Sequence, residues 1–504
     1  MFTDEDDSQV RVGVKVWPDS LYAEHAGARA LAVYSHDCTL RLYEVVPSQN
    51  NSAARSTKCR QIACVKAVPP SVSQRKAGTY TLGGMDLDDD DVVCLFCCEP
   101  ENPLASSAAF LSIISRDDLA CAGNRGLLDD ESVKEIDICA TILDFLLCGA
   151  DHDDHLQASL HDFFSIGNGD TTRIKIDVST SLVSCGNGYV LVHAYINIPS
   201  ERDEDSDDSY GERLYDSTGH RVFLLSIKKE RIVKAIRLQC HQLSELQLLA
   251  SSPSKRYVNF SDSTTSSRKL CTNVMVRTIN NDQDSLNLSV QISKDGTVDV
   301  KVKAMIDRHQ ISPFEDECTM PAIVTSDRFI TAVKSPDRNI LVFCEEDNDG
   351  SRHTVVHKVD IATSQLKVHD MFCLREEYVA VILGMEEDAV AGEWFGLDLE
   401  QSPKTQIVVY HISSRQEVSR CHLPYTPLFN MSCNGETIVA NISNLGFVIA
   451  GGNAREVVLA ALSNDDEEAN QTPTKTPKVK KKRLASLASG RKKDGFARGM
   501  SMRG

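Results

Sequence analysis

The stretch that decides the fold runs from Ala30 to Val45, with the sequence ALAVYSHDCTLRLYEV. Apolar residues alternate with others from Leu31 to Ser35 and again from Leu40 to Val45, and the polar residues His36 to Cys38 separate the two runs. Because successive side chains of a strand point to opposite faces, this alternation around a short polar break predicts a β-hairpin. We expect Asp37 to brace its turn.

The same unit recurs later in the chain. Ser335 to Phe343 (SPDRNILVF) nearly repeats the opening hairpin, and Asp337 takes the place of Asp37 in the expected turn. Weaker repeats begin at Gln406 (QIVVYHI) and at Cys433 (CNGETIVA). Further hairpins are predicted around Asn187-Gly188 and Asp295-Gly296, because both residue types of such pairs accept a positive φ.

The residue pattern of the opening hairpin resembles that of a known family. Ser-x-Asp-x-Thr-Leu-Arg-Leu-Tyr-Glu-Val resembles the two inner strands of a WD-repeat propeller blade, with Tyr43-Glu44 and Tyr410-His411 where that family ends its unit on Trp-Asp. The resemblance covers most of residues 10 to 460 and implies an all-β, WD40-like β-propeller of about seven blades. One four-stranded blade cannot bury both faces, whereas a closed ring of blades does so. Two β-sandwich-like domains are the alternative.

Several segments depart from the strand pattern. Apolar residues near helical spacing predict a helical insertion within residues 129 to 165. The acidic run Asp86 to Asp91 and the acidic loop from Glu201 to Glu212 are interpreted as solvated loops, with a surface for a basic partner as the alternative. Gly83-Gly84 is interpreted as a turn.

Composition restricts the class of protein. The 504 residues carry a formal net charge of −18, which disfavours nucleic-acid binding over the whole surface because phosphates would be repelled. The 17 cysteines are odd in number and mostly lie in apolar runs, which indicates buried thiols in a reducing compartment. The acidic start MFTDEDD lacks a secretory signal, and no apolar stretch is long enough for a membrane span. We therefore expect a soluble intracellular protein without a membrane partner.

The composition changes after Leu462, which predicts a body over residues 1–462 and a disordered tail over residues 463–504. The tail is first acidic and then basic, and residues 471 to 504 carry a net charge of +10, which leaves −28 for the rest. Two basic clusters have the form of a bipartite nuclear import signal: Lys480, Lys481, Lys482 and Arg483, then Arg491, Lys492 and Lys493. Candidate phosphorylation sites are Thr472, Thr476, Ser486 and Ser489.

The tail supports three uses. Nuclear import is the first, and phosphorylation would weaken it because each phosphate adds about −1.5 to −2 charges. Contact with RNA or DNA is the second, and docking on an acidic protein surface is the third. A plain solvated tail is the non-functional alternative.

The sequence offers few groups with the spacing of a chemical site. Cys148, His152, His155 and His161, with Asp151, Asp153 and Asp154, are the best metal candidates, but their spacing matches no standard zinc site. Cys94, Cys97 and Cys98 lack a second CxxC pair, and strand alternation would turn Cys94 and Cys97 to opposite faces. Neither a nucleophile elbow nor a phosphate-binding glycine loop is present. We therefore predict no metal, no cofactor and no enzyme.

These observations favour a non-enzymatic nuclear scaffold for protein–protein interaction. It would be a phosphorylatable subunit of a multiprotein complex of the chromatin, nuclear-pore, ubiquitin-ligase, cell-cycle or ribosome-assembly type. An RNA- or DNA-associated factor that uses its tail is the alternative. An enzyme with a site on a central channel is a third hypothesis.

Overall fold

The computed structural model describes the strands, the helices and a few adjoining turns of the chain. The described residues are 11–16, 29–35, 39–46, 57–66, 80–88, 91–98, 108–122, 132–148, 174–198, 219–238, 246–250, 256–262, 265–278, 285–306, 318–319, 323–324, 328–334, 338–347, 353–361, 366–384, 405–423, 429–433, 435–442, 446–451 and 457–462. The chain divides into a unit of residues 1–462 and a unit of residues 463–504. All described residues lie in the first unit.

The described residues of the first unit lie almost entirely in antiparallel β-sheet, so the all-β part of the fold prediction is confirmed. In the described residues the strands form seven successive sets, each in chain order across its sheet. The first three sets are β1 (Arg11–Val16), β2 (Arg29–Ser35), β3 (Thr39–Val46) and β4 (Thr57–Lys66); β5 (Tyr80–Asp88), β6 (Asp91–Cys98), β7 (Ala108–Ser115) and β8 (Val133–Asp137); and β9 (Lys175–Gly186), β10 (Tyr189–Asn197), β11 (Gly219–Ser226) and β12 (Arg231–Arg237).

In the fourth and fifth sets the first strand is split in two, because β13 and β14 both pair with β15, and β18 and β19 both pair with β20. These sets are β13 (Leu246–Ala250), β14 (Arg256–Asp262), β15 (Thr265–Thr278), β16 (Ser285–Ser293) and β17 (Val298–Ile306); and β18 (Cys318–Thr319), β19 (Ile323–Val324), β20 (Arg328–Lys334), β21 (Asn339–Glu346) and β22 (His353–Ile361).

The last two sets complete the unit. They are β23 (Lys367–Leu374), β24 (Tyr378–Gly384), β25 (Thr405–His411) and β26 (Gln416–Leu423); and β27 (Phe429–Cys433), β28 (Ile438–Ile442), β29 (Gly446–Ala450) and β30 (Val457–Leu462). A short parallel pairing of residues 460–462 with residues 57–59 joins β30 to β4, so the first and last sets share one eight-stranded sheet.

The opening hairpin is confirmed as β2 and β3, with Leu31 opposite Tyr43 and Val33 opposite Arg41. The second hairpin of this kind, predicted around Ser335 to Phe343, is confirmed as β20 and β21. Both faces of β2 are buried: Leu31 and Val33 pack with the seventh set, whereas Ala30 and Ala32 pack with the second. Because both faces of β2 are buried, apolar residues occupy consecutive positions of this strand and not only alternate ones.

Apolar clusters fill the space between successive sets. The cluster between the second and third sets is the most extensive, and it includes Leu95, Val192 and Phe223. Another cluster joins the seventh set to the first through Phe447 and Tyr43, whose rings meet edge to face at 5.4 Å between centroids. Each set therefore buries both of its faces against neighbours, which is the physical condition for stability of a four-stranded sheet.

The predicted turns are confirmed by backbone angles. Asn187 and Gly188 have φ values of 56° and 79°, and Gly296 has 81°. Glycine accepts this left-handed conformation without a steric penalty. Asp37 and Asp337, the predicted turn-bracing residues, lie outside the described residues, as does the acidic loop 201–212.

Two sequence expectations need correction. The helical insertion is confirmed only as α2 (Ile138–Cys148), because residues 133–137 form β8 instead; a second helix, α1 (Arg116–Ala122), was not predicted. The Asp137 carboxylate accepts the Ala140 amide at 2.9 Å and thereby caps the start of α2. Gly83-Gly84 is not a turn. The pair lies inside β5, where the register with β6 shifts between Leu82 and Gly84 at a bulge. Neither described helix is long and apolar enough to cross a membrane.

Candidate interaction surface

The predicted tail sites cannot be placed. The import clusters Lys480 to Arg483 and Arg491 to Lys493 lie outside the described residues, as do Thr472, Thr476, Ser486 and Ser489. These assignments stay predictions from the sequence.

Of the metal candidates, only Cys148 lies in the described part of the chain. Cys148 is exposed at the end of α2, while the three histidines and three aspartates that follow it lie outside the described residues. Among the described residues, no group of three or more ligating side chains is placed to hold a metal ion. Cys94 and Cys97 are buried in two different apolar clusters on opposite faces of β6, as strand alternation predicts.

The interpretation of residues 86–91 as a solvated loop is wrong for the described residues of this run, which lie on strands. Asp86 and Asp88 lie on β5, and Asp88 is only 4% exposed. The Asp88 carboxylate accepts the Ser184 hydroxyl and the Gly188 amide, each at 2.8 Å, and both donors belong to the third set. The Asp88 carboxylate therefore joins the second set to the third.

Asp86 completes this polar contact. Its carboxylate accepts the backbone amide of Ser184 at 2.8 Å and forms an ion pair with Lys15 on β1 at 3.3 Å. The residue links three successive sets. The i, i+2 spacing of Asp86 and Asp88 could have indicated one shared strand face, but the sequence contains no signal for the donors almost 100 residues away.

A buried histidine pair is the second polar feature that sequence reasoning missed. The Nε2 atom of His193 on β10 lies 3.0 Å from the Nδ1 atom of His220 on β11, and Tyr195 packs against the His220 ring. Burial, and secondarily the neighbouring His220, lowers the pKa of His193 to about 3. His193 is therefore neutral near pH 7 and is unsuited to proton exchange with solvent.

A candidate interaction surface is the open edge of each sheet. The first strands of the sets lie against one another, as β5 does against β9 and β9 against β13. The last strands β8, β12, β17, β22 and β26 each end their sheet, and within the described residues no further strand pairs with them. Val302, Val356 and Val418 are large apolar side chains exposed on three of these strands. Open strand edges are templates for pairing with another chain.

Comparisons with known proteins give structural matches without a family. No protein-family description matches the chain, and no curated protein matches its sequence. Prolyl oligopeptidase B from Galerina marginata matches with 10% identity and a TM-score of 0.43, over 90% of this chain and 52% of the other. A hypothetical selenium-binding protein from Sulfolobus tokodaii matches with 10% identity and a TM-score of 0.36, over 86% and 80%.

A third match is a prolyl endopeptidase with 7% identity and a TM-score of 0.36, over 85% of this chain and 48% of the other. The chain spans about half the length of the peptidases it matches. The expectation of a non-enzymatic protein is corrected on this finding, because the matched structures include peptidases. At these identities the likeness assigns no activity, substrate or catalytic residue to the chain.

Proposed function

We propose that this protein is a nuclear scaffold for protein–protein interaction and a subunit of a multiprotein complex. The observation that carries the proposal is the set of last strands, β8, β12, β17, β22 and β26, whose outer edges are open in the described part of the chain. Each edge presents backbone groups that can pair with a partner strand. Complexes of the chromatin, nuclear-pore, ubiquitin-ligase, cell-cycle or ribosome-assembly type are suitable settings.

We further propose that the seven sets are the blades of a WD40-like β-propeller. Apolar clusters between successive sets support this architecture, and so does the cluster that joins the seventh set to the first. The parallel pairing of β30 with β4 supports it as well. A closed arrangement would direct the last strand of every set outward, which is where a scaffold needs its binding edges.

Polar contacts between sets support a rigid presentation of those edges. Asp88 holds the Gly188 amide, and the Asn339 carboxamide donates to the Leu366 carbonyl at 2.7 Å. The Lys134 ammonium donates to the Ile227 carbonyl at 2.8 Å. Buried or half-buried bonds of this kind fix the register of neighbouring sheets, so a partner meets an ordered surface.

The tail supplies the nuclear part of the proposal. Its two basic clusters would bind an import receptor or an acidic partner, and phosphorylation of Thr472, Thr476, Ser486 or Ser489 would reduce their charge. The support is the contrast between +10 in residues 471–504 and −28 in the rest of the chain.

The test compares the full chain with a chain that ends at Asn470 and with a variant in which the seven basic cluster residues become alanine. A matched control replaces Arg498 and Arg503, which lie in the same tail outside the clusters. We expect nuclear signal for the full chain and the control, and cytoplasmic signal for the other two. Diffuse cytoplasmic signal for every version would reject the import role.

Affinity purification of the full chain tests the scaffold role separately. We expect a stable set of co-purifying proteins that survives removal of the tail, because the proposed edges lie in the first unit. Recovery of a monomer without partners would reject the scaffold role.

An RNA- or DNA-associated factor is the second candidate, and the charge of the tail favours it. Deletion of residues 471–504 should then abolish a nucleic-acid binding signal that weakens steeply with salt. Unchanged binding after the deletion would reject this candidate.

A further inference from the structure

One open edge differs in charge from the others. β12 carries Arg231, Lys234 and Arg237 without an acidic residue, which gives a net charge of +3, while β8, β17, β22 and β26 range from −1 to +1. Lys228 and Lys229 precede β12 in its turn and extend the basic stretch. This local charge stands against a net charge of −18 for the whole chain.

The basic side chains of this stretch are available to a partner. Lys228, Lys229 and Arg231 are exposed and Lys234 is half-buried. Among the described residues no carboxylate pairs with any of these four, and the one acid nearby, Glu230, pairs with Lys134 at 2.9 Å. The stretch therefore presents positive charge that the described surroundings do not neutralise.

The apolar side chains of β12 face inward. Ile232 is buried in the cluster shared with the second set, and Val233 and Ile236 pack on the cluster shared with the fourth set. What remains at the outer edge is the strand backbone, flanked by basic side chains. A bulge on β12 leaves Val233 as the extra residue, so Arg231, opposite Ser226, and Lys234, opposite Leu224, stand on the same face of the edge.

The molecule already contains an outer strand that accepts another strand. β4 is also basic, with Lys58, Arg60 and Lys66, and residues 57–59 at its start pair in parallel with β30. The corresponding edge of β12 has no such cover in the described part of the chain.

We propose that β12 binds an extended, acidic segment of a partner protein by strand addition. Backbone groups of the edge would pair with the added strand, and carboxylates on one face of that strand would meet Arg231 and Lys234. A run of Asp and Glu fits this requirement, because its alternate residues share the face on which Arg231 and Lys234 stand. The inference names one partner class for the scaffold role proposed above and rests on that role.

Nucleic acid is the competing polyanion, and the edge favours peptide over it. A phosphate chain can use the basic side chains but leaves the amides and carbonyls of the edge strand without an in-register partner. A peptide strand satisfies both.

The test measures fluorescence anisotropy of a labelled peptide with a continuous Glu run, titrated with the full chain. The variant Arg231→Glu/Lys234→Glu should bind at least about tenfold more weakly, because two attractive pairs become repulsive. The matched control, Lys301→Glu/Lys358→Glu, reverses two lysines on β17 and β22 and should stay within about twofold of the parent. The basic tail is the same in all three proteins, so it does not contribute to the difference.

Two further measurements separate strand addition from simple charge attraction. Amide hydrogen exchange should slow in β12 and not in β22 when the peptide is bound. A peptide with the same charges but alternate backbone N-methyl groups should lose most of its binding, because it cannot complete the ladder. Circular dichroism and the thermal midpoint of each variant report that the fold is kept.

Several results would overturn the proposal. These are equal losses in the two double variants, unchanged binding of the N-methylated peptide, or tighter binding of a single-stranded oligonucleotide through Arg231 and Lys234. Co-purifying partners that persist in a protein without peptide binding would reject this inference and leave the scaffold role standing.

Discussion

Asp88 on β5 accepts the hydroxyl of Ser184 on β9 at 2.8 Å, and both side chains are buried between two neighbouring sets of strands. The second carboxylate oxygen accepts the Gly188 amide at the same distance. Because Gly188 lies in the turn between β9 and β10, one side chain fixes both the strand and the turn of the next set.

Replacement of Asp88 should destabilise the first unit. In Asp88→Asn an NH2 group replaces one carboxylate oxygen, so a single neutral acceptor remains for the two donors Ser184 and Gly188. We expect a loss of about 1.5 to 3 kcal/mol in the free energy of unfolding, measured by urea denaturation. Asp299→Asn, at an exposed ion pair with Lys301 on β17, is the control and should stay within about 0.5 kcal/mol. Equal stabilities of Asp88→Asn and the parent would contradict the role of this contact.

His193 should make stability depend on pH. Its pKa is lowered to about 3 by burial and by His220, so the unfolded chain binds a proton near pH 6.5 and the folded chain does not. The stabilising contribution is present above pH 6.5 and is lost as the pH falls from 6.5 toward 3, by up to about 1.4 kcal/mol per pH unit.

The variant His193→Phe tests this dependence. Phenylalanine does not titrate, so the difference in unfolding free energy between parent and variant should change with pH over that window. Asn197→Ala, at an exposed position on the same strand, removes no titratable group and is the control for the pH profile. A constant difference between His193→Phe and the parent from pH 7 to pH 4 would show that His193 is not the titrating group.

Asn339 should matter for the contact between the fifth and sixth sets. Its carboxamide donates to the Leu366 carbonyl at 2.7 Å and accepts the Val368 amide at 3.2 Å. Asn339→Asp keeps the acceptor but places a carboxylate against the Leu366 carbonyl, so we expect a loss of about 1 to 3 kcal/mol in thermal or chemical unfolding. The control Asn197→Ala, at an exposed position on β10, should change stability by less than about 0.5 kcal/mol.

Gly84 allows β5 to approach β9 closely. A Cβ atom at this position would lie 3.1 Å from the Leu182 Cβ atom and 3.2 Å from the Thr180 carbonyl oxygen. Gly84→Ala should therefore cost about 1 to 3 kcal/mol of stability by overpacking. Gly384→Ala is the comparison: its Cβ atom would meet the His369 ring at 3.3 Å, and a side chain can move aside, so a smaller loss is expected. The reverse order of the two losses would contradict this reading of the contact.

Cysteine reactivity should follow burial. Burial raises the pKa of the Cys139 thiol to about 12, with Asp137 adding to the effect, and raises that of Cys344 to about 12 as well. Thiolate is the reactive form, so both should resist alkylation in the native protein. Cys121 and Cys148 are exposed and should be labelled first by iodoacetamide, with peptide mapping by mass spectrometry as the measurement. Labelling of Cys344 as fast as Cys148 would contradict the buried environment.

The repeated hairpins could be predicted because they depend on neighbours in the sequence. Alternation located β2, β3, β20 and β21, and Asn187-Gly188 located a turn whose positive φ values favour those residues. The helix within residues 129–165 was found only in part, because Val133 and Ile136 satisfy both strand and helix spacing. The Asp137 cap, which starts α2, depends on a single carboxylate that the apolar pattern does not register.

The polar contacts between sets could not be predicted in the same way. Asp86 to Asp91 was interpreted as a solvated loop because runs of carboxylates usually seek water. The buried state of Asp88 depends on donors at Ser184 and Gly188, which no local pattern connects to it. His193 and His220 are likewise unremarkable in the sequence and meet only because β10 and β11 pair.

The sequence by itself determined the strand and turn units of this protein, since alternation, turn residues and charge act over a few positions. It also determined the basic tail and its candidate sites, because net charge does not depend on the fold. Only the tertiary structure decided which carboxylates are buried, which histidines meet and which strand edges stay open. Those properties depend on partners far apart in the chain, and the opening hairpin from Ala30 to Val45 is stable only because neighbouring sets cover both of its faces.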